Sequence, residues 1–171
     1  MRLIPRRWQE EALAAWKANG HRGIVEVVTG AGKTALALLC MESVQQSGLA
    51  DRFVIIVPTT ALMDQWLASL QDDLSVPDDD IATYSGDGVP SEPHRFNIMI
   101  VNTARRWAPI VCAGSARPCL IVDECHRLGS EKNSLALDGA YVATLGGSAT
   151  PDRDYDDALT EVLIPALGPV V

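Results

Sequence analysis

A glycine-flanked lysine near the start of the chain has the residue types and spacing of a phosphate-binding loop. The loop consists of Thr29, Gly30, Ala31, Gly32, Lys33 and Thr34. Glycines let successive backbone N–H groups turn inward around an anion, and a following helix adds its partially positive N-terminus. Lys33 can then reach the outer phosphates of a nucleotide, and the Thr34 hydroxyl can coordinate Mg²⁺.

One position departs from the full phosphate-loop pattern, because Val27 stands where the first glycine of G-x-x-x-x-G-K-[ST] is expected. The alternative interpretation is a glycine-rich turn between a strand and a helix, which any α/β protein can contain. The order glycine, lysine, threonine directly before a helical pattern favours phosphate binding.

Two adjacent carboxylates, Asp123 and Glu124, follow directly after the apolar run 120–122. Carboxylates at the end of a buried strand are costly unless they meet a cation, and a magnesium ion would supply one. Taken alone, the pair fits a second interpretation, in which the two acids cap a following helix. The phosphate loop upstream favours the metal site.

The elements that must position these groups alternate along the chain. Apolar runs predict strands at 23–28, 53–57, 81–84, 97–101, 119–122 and 141–145, and helical spacing predicts helices at 7–17, 33–46 and 61–73. We expect a loop through Pro109, Gly114 and Pro118. The alternation predicts an α/β fold, with a central, mainly parallel sheet and helices on both faces. Ligand chemistry then belongs at the carboxyl ends of the strands.

Length and composition predict one domain over residues 1–171. The chain has 171 residues, 47% of them apolar, which is enough for one substantial core. Its four cysteines have no metal-ligand spacing, and no secretory signal opens the sequence. The apolar runs are far shorter than the roughly 20 residues of a membrane span. We expect reduced thiols, no membrane partner, and a cytoplasmic location, or a nuclear one in a eukaryote.

The net charge of −8 argues against a nucleic-acid partner, because phosphate binding depends on lysine and arginine. The charge is uneven, however. Residues 1–70 carry seven basic against six acidic residues, whereas residues 71–171 carry seven against sixteen. Much of the acidity lies in the runs 72–80 and 152–157, which are typical of solvated loops and helix ends. Net charge therefore says little about any one groove.

Four motifs, in order along the chain, resemble those of a known family. Residues 123–126, D-E-C-H, resemble the D-E-x-H box, and residues 147–151, G-S-A-T-P, resemble the S-A-T motif that follows it. Residues 6–9, R-R-W-Q, and 58–62, P-T-T-A-L, resemble the adenine-reading element and the strand-contacting P-T-x-x-L motif. The chain thus resembles the first RecA-like, P-loop NTPase domain of DEAD/DEAH-box-type superfamily 2 helicases. Within them it looks most like XPB-type helicases and related phage and restriction translocases.

The resemblance implies an ATP hydrolase that couples Mg-ATP hydrolysis to movement along nucleic acid, with DNA favoured over RNA. Asp123 and Thr34 would hold Mg²⁺, Glu124 would act as general base, and Lys33 would hold the phosphates. Arg6 and Gln9 would contact adenine. His126 would couple the ATP site to Ser148 and Thr150, and Thr59, Thr103 and Arg105 would contact the nucleic-acid backbone.

Several of these residues have ordinary alternatives. Arg6 and Gln9 fit exposed positions on a surface helix, and Thr59 fits the N-cap of the helix that follows it. Ser148 and Thr150 fit a turn before a proline. The trio 105–107, R-R-W, fits either a nucleic-acid contact or a surface helix with its tryptophan packed inward.

Two features leave rival functions open. The family needs a second RecA-like lobe with an arginine finger, and no such motif occurs in this sequence. We therefore expect weak or no turnover from this lobe alone, and a second lobe in cis or in trans. The acidic net charge favours a rival ATPase motor that acts on something other than nucleic acid, such as a polypeptide. A nucleotide-sensing scaffold without turnover is a further alternative, against which the intact Lys33, Asp123 and Glu124 argue.

Overall fold

A computed structural model of the chain describes residues 3–86, 88–149 and 156–171. Within these ranges, six strands form one sheet in the order β1-β6-β5-β2-β4-β3, and every neighbouring pair is parallel. The strands are β1 (Arg22–Glu26), β2 (Arg52–Val57), β3 (Ile81–Tyr84), β4 (Phe96–Ile100), β5 (Pro118–Val122) and β6 (Ala143–Ser148). All their carboxyl ends therefore lie at one edge of the sheet.

Helices cover both faces of this sheet. The described helices are α1 (Arg7–Ala18), α2 (Lys33–Gln46), α3 (Thr60–Leu74), α4 (Val101–Ala113), α5 (Glu131–Ser134), α6 (Asp156–Ala158) and α7 (Ile164–Leu167), with a π-helical segment at Leu159–Leu163. Short 3₁₀ turns span Asp78–Asp80, Cys125–Leu128 and Leu135–Leu137. Helices α1, α2 and α3 pack against one face of the sheet, and α4 and α7 pack against the other.

Successive side chains along a strand point to opposite faces of the sheet, which explains why there is one apolar core on each face. In β2, Phe53, Ile55 and Val57 join the core under α1, α2 and α3, whereas Val54 and Ile56 join the core under α4. All five side chains are fully buried. A strand buried on both faces reads as a continuous apolar run, as these residues do. The predicted fold class, a parallel α/β sheet with helices on both faces, is confirmed.

The predicted loop through Pro109 is wrong, because α4 runs through that proline. Proline removes one backbone hydrogen bond from a helix interior. Four apolar side chains, Ala104, Ala108, Val111 and Cys112, recur at helical spacing and are buried against the sheet. Packing of this face outweighs the local cost of the proline.

Strand β6 extends farther than the predicted 141–145, through Gly146 and Gly147 to Ser148. A Cβ at Gly146 would lie 2.9 Å from Cδ1 of Leu167 and 3.1 Å from Sγ of Cys125. Glycine is therefore required there by the close approach of the neighbouring helix and turn, and does not end the strand.

The four cysteines are free and buried. Burial raises the pKa of the Cys119 and Cys125 thiols to about 12, so both stay protonated and pack as small apolar groups. No helix among the described residues has the length and apolar content that crossing a bilayer requires.

Candidate nucleotide site at the carboxyl edge of the sheet

The phosphate loop and the acidic pair share one cleft. Strand β6 separates β1, which precedes the loop, from β5, which precedes the acids. The cleft is lined by Thr29, Gly30, Gly32, Lys33, Thr34, Leu62, Gln65, Asp123 and Glu124. A Cβ at Gly147 would lie 3.6 Å from Cδ of Lys33 and 3.9 Å from Oδ1 of Asp123. Two segments that are far apart in the sequence therefore converge on one point.

The loop takes a backbone course that depends on glycine. Gly30 and Gly32 have φ angles of 82° and 103°, in the left-handed region that glycine enters without steric cost. Helix α2 begins at Lys33, directly after Gly32, so its N-terminal N–H groups face the cleft. Both features are those of an anion-binding loop.

Among the described residues that line this cleft, Lys33 is the one with a positively charged side chain. Its Nζ lies 3.2 Å from the carbonyl oxygen of Val27 and 3.5 Å from Oε1 of Glu124. Only 12% of the Lys33 side chain and 19% of the Glu124 side chain are exposed. The ammonium group is therefore placed to bind an anion in the cleft. In this structure it forms an ion pair with Glu124, the candidate general base.

The carboxylate of Asp123 is fixed by two donors. Its Oδ2 accepts a hydrogen bond of 3.0 Å from Nε1 of Trp66, and its Oδ1 accepts one of 3.0 Å from the backbone N–H of Glu124. The residue is 9% exposed. Each oxygen keeps a further lone pair, so the carboxylate can still bind a cation.

Glu124 has a strained backbone, with φ 50° and ψ 51°. Non-glycine residues rarely adopt this left-handed conformation, and those that do cluster at functional sites. It turns the carboxylate back towards Lys33 and towards Nδ1 of His126, which lies 3.3 Å from Oε2. Glu124 occupies the N-cap position of the Cys125–Leu128 turn without making a capping bond, so the helix-cap interpretation is wrong for this residue.

The donors fit magnesium better than a transition metal. The described residues contain no group of three or more His, Cys, Asp or Glu side chains that could hold a metal ion. Mg²⁺ is usually held by one or two protein carboxylates together with waters and substrate phosphates. Asp123 and the hydroxyl of Thr34, both on the wall of the cleft, meet that requirement.

Helix α1 braces the loop from outside. Gln9 donates from Nε2 to the carbonyl of Gly32 at 3.0 Å and accepts from the backbone N–H of Arg6 at 2.7 Å. Nη1 of Arg6 donates to the carbonyl of Ala31 at 3.1 Å. Gln9 is 3% exposed, so the surface-helix interpretation is wrong for it, whereas Arg6 is exposed.

Replacing Gln9 with alanine should lower the free energy of unfolding by about 1–3 kcal/mol, because the change removes two partly buried hydrogen bonds. Chemical denaturation of the purified chain measures this. Glu10→Ala is the matched control, since Glu10 is exposed on the same helix and should change stability by less than about 0.5 kcal/mol. Equal stabilities for the two variants would show that Gln9 does not brace the loop.

Comparison with known proteins decides the family. The family described as "Type III restriction enzyme, res subunit" matches residues 2–153. The chain belongs to this family.

Relatives and solved structures agree with that membership. The DNA 3'-5' translocase XPB2 of Sulfurisphaera tokodaii is 33% identical over 167 residues, which cover 97% of this chain and 35% of that protein. The UvsW helicase of bacteriophage T4 superposes with a TM-score of 0.78 at 18% identity, over 99% of this chain and 60% of the other. The SWI2/SNF2 ATPase core of Sulfolobus solfataricus, solved in complex with dsDNA, gives a TM-score of 0.77 at 14% identity. The superposition covers 97% of this chain and 36% of the other.

These findings confirm the resemblance to the first RecA-like domain of superfamily 2 helicases. The chain spans 35% and 26% of the lengths of two curated relatives that it matches.

In this member of the type III restriction enzyme family, His126 contacts Ser148. Their Nδ1 and Oγ atoms are 3.3 Å apart, and Ser148 is 3% exposed at the end of β6. The pKa of His126 is lowered chiefly by desolvation; Glu124 acts in the opposite direction, and Arg127 and Lys33 lower it further. The imidazole is therefore neutral at neutral pH. Thr150, the third residue predicted for coupling, lies outside the described residues.

The residues predicted to contact nucleic acid lie along the other half of the same edge. Thr59 follows β2, and Thr103 and Arg105 lie in α4, which follows β4. Thr59 is the N-cap of α3, since its Oγ1 accepts from the N–H of Leu62 at 3.3 Å, and its exposure leaves it accessible as well.

Arg105 is already engaged within the chain. Its Nε donates to Oδ1 of Asn133 at 3.0 Å, and its Nη2 donates to Oδ1 of Asn102 at 2.8 Å. The trio 105–107 is helical, as one alternative had it, and Trp107 packs against the core under α4.

Sequence reasoning missed Trp66, Gln65 and Asn133. Gln65 lines the cleft, and Asn133 joins Arg105 to the carbonyl of Arg127, which lies 2.7 Å from its Nδ2. Trp66 lies at a helical position that predicts only a core residue. No local pattern signals partners that are 28 and 57 residues away in the chain.

Proposed function

We propose that this chain is the ATP-binding motor domain of a nucleic-acid-dependent ATPase, which couples Mg-ATP hydrolysis to movement along DNA. The observation that carries the proposal is the meeting of Lys33, Asp123 and Glu124 in one cleft beside the N-terminus of α2. Relatives named as a DNA 3'-5' translocase and a putative DNA 3'-5' helicase support DNA as the nucleic acid along which the motor moves.

The contacts in the cleft support the following division of labour. Lys33 and the loop N–H groups bind the β- and γ-phosphates, and Thr34 and Asp123 hold Mg²⁺. Magnesium, when bound, neutralises charge on the phosphate oxygens. Glu124 accepts the proton of the attacking water, since its carboxylate stands at the cleft wall and is held by Lys33 and His126. Arg6 and Gln9, beside the loop, contribute the adenine contact.

We assign the coupling between the nucleotide cleft and the nucleic acid to two sets of residues. His126, together with Ser148 and Thr150, transmits phosphate release in the cleft through the end of β6 to the nucleic-acid groove. Thr59, Thr103 and Arg105 position the sugar-phosphate backbone without reading its sequence. A second RecA-like lobe, in cis or in trans, completes the site with an arginine finger. The buried free thiols support a cytoplasmic location.

DNA should raise ATP turnover when this lobe is joined to a second RecA-like lobe, because strand binding at Thr59 and Thr103 favours the closed, hydrolytic arrangement. Steady-state phosphate release is measured with duplex DNA, with RNA and with an unfolded polypeptide. DNA stimulation should weaken as salt rises, since counterions compete for the phosphate contacts.

Stimulation by polypeptide and not by DNA would instead support the rival motor that the net charge of −8 favours. Tight ATP binding without turnover under every condition would support a nucleotide-sensing lobe.

A further inference from the structure

Trp66 makes a buried hydrogen bond to the acidic edge. The residue lies in α3, is 2% exposed, and donates from Nε1 to Oδ2 of Asp123 at 3.0 Å. The indole N–H can only donate, so the direction of this bond is unambiguous. Its acceptor is a carboxylate, which makes the bond stronger than a bond between neutral groups.

The partner of Trp66 differs in kind from that of the other fully buried tryptophan. Trp16 donates to the backbone carbonyl of Thr144 at 2.8 Å, which satisfies the indole and fixes a strand. Trp66 donates to a side chain that also lines the cleft. Its ring belongs to the same buried apolar cluster as Val25, Leu36 and Ile121. Together with Lys33 and Thr34, these residues line a small cavity beside Asp123. The apolar packing thus holds the N–H group in place against one carboxylate oxygen.

Two donors together fix the rotation of the Asp123 carboxylate. Trp66 holds Oδ2 from α3, and the backbone N–H of Glu124 holds Oδ1 from the strained turn. Loss of the indole donor leaves one oxygen without its partner and frees the carboxylate to rotate.

Helix α3 also reaches the other half of the carboxyl edge. Its cap, Thr59, is exposed after β2, and Leu62 and Gln65 line the cleft. Positions 62, 65 and 66 recur at helical spacing, so they share one face of the helix. One rigid element therefore runs from the proposed strand contact to the proposed metal ligand.

We propose that Trp66 is a positioning residue that orients Asp123 for Mg²⁺, and that α3 links this ligand to the nucleic-acid side at Thr59. The proposal rests on the function proposed above. It provides a link between the two sites that is separate from the contact between His126 and Ser148. Hydrogen-bond partners of metal-ligating groups typically contribute roughly 10–100-fold to metal affinity or activity.

The test compares Trp66→Phe with Trp16→Phe. Each variant keeps an aromatic ring and loses one buried indole hydrogen bond, but only the first loses a bond to Asp123. Binding of a fluorescent, non-hydrolysable ATP analogue to the purified chain is titrated with Mg²⁺. Trp66→Phe should require roughly 10–100-fold more Mg²⁺ than the wild type, with unchanged binding in EDTA, and Trp16→Phe should match the wild type.

A second measurement follows the response of the wild-type chain to Mg²⁺, and the variants serve only to assign its resonances. The chain is labelled with 5-fluorotryptophan, and its ¹⁹F resonances are assigned by the two phenylalanine variants and by Trp107→Phe. Adding Mg²⁺ to the nucleotide-bound chain should shift the Trp66 resonance and leave those of Trp16 and Trp107 in place.

The possible failures are distinguishable. If Trp66→Phe needs no more Mg²⁺ than Trp16→Phe, or if the Trp66 resonance does not respond to Mg²⁺, the positioning role is overturned and the proposed function stands. If the wild-type chain binds no nucleotide at any Mg²⁺ concentration, the proposed function fails and this role fails with it.

Discussion

Replacing Glu124 with glutamine should lower ATP turnover by roughly 10²–10⁴-fold while leaving nucleotide binding nearly unchanged, as expected for the loss of a general base. Glutamine has the same shape and can occupy the same backbone position, but it cannot accept the proton of the attacking water. The change also removes the negative charge 3.5 Å from Lys33, which leaves that ammonium group free for phosphate. Binding should therefore be equal to that of the wild type or slightly tighter.

The measurement is phosphate release at saturating Mg-ATP and DNA, in a protein that joins this lobe to a second one. Glu131→Gln is a matched control, because Glu131 is exposed in the first turn of α5 and makes the same chemical change away from the cleft. Turnover of Glu124→Gln within about threefold of the control would remove Glu124 from the role of base, since proton transfer by a positioned group accounts for roughly 10²-fold or more.

The parts of the site that could be predicted are those with local signals. The start of α2 at Lys33 was predicted at its observed position, because glycines precede it and an Ala/Leu-rich pattern follows. The acids after β5 were predicted for the same kind of reason, since a fully apolar strand ends abruptly in charge. Their meeting followed from topology, because parallel strands bring their carboxyl ends to one edge.

The parts that could not be predicted depend on distant partners. Nothing beside Trp66 indicates that its N–H group meets Asp123, and nothing beside Arg105 indicates Asn133. The sequence allowed Gln9 to be interpreted as an exposed residue, because the burial of its side chain depends on the loop that it braces, 23 residues away. In α4 the local signal pointed to the wrong structure, since Pro109 suggests a break that tertiary packing prevents.

Replacing Lys33 with alanine should weaken binding of Mg-ATP by roughly ten- to a hundred-fold, because a hydrogen bond to a charged group contributes about 1.5–3 kcal/mol. Lys33 is the cation among the described residues of the cleft, so no neighbouring ammonium or guanidinium group replaces it. The loop N–H groups and the N-terminus of α2 remain, which is why binding should weaken and not vanish.

Calorimetric titration of the chain with Mg-ATP measures this loss, and Lys17→Ala provides the control because Lys17 is an exposed lysine in α1. The thermal midpoint separates loss of binding from loss of fold. The variant leaves Glu124 in the cleft without its ammonium partner, but His126 remains 3.3 Å from its Oε2, so we expect the fold to persist. If Lys33→Ala folds like the control and binds Mg-ATP equally well, the loop holds no phosphate, and the convergence of Lys33 with Asp123 and Glu124 has another purpose.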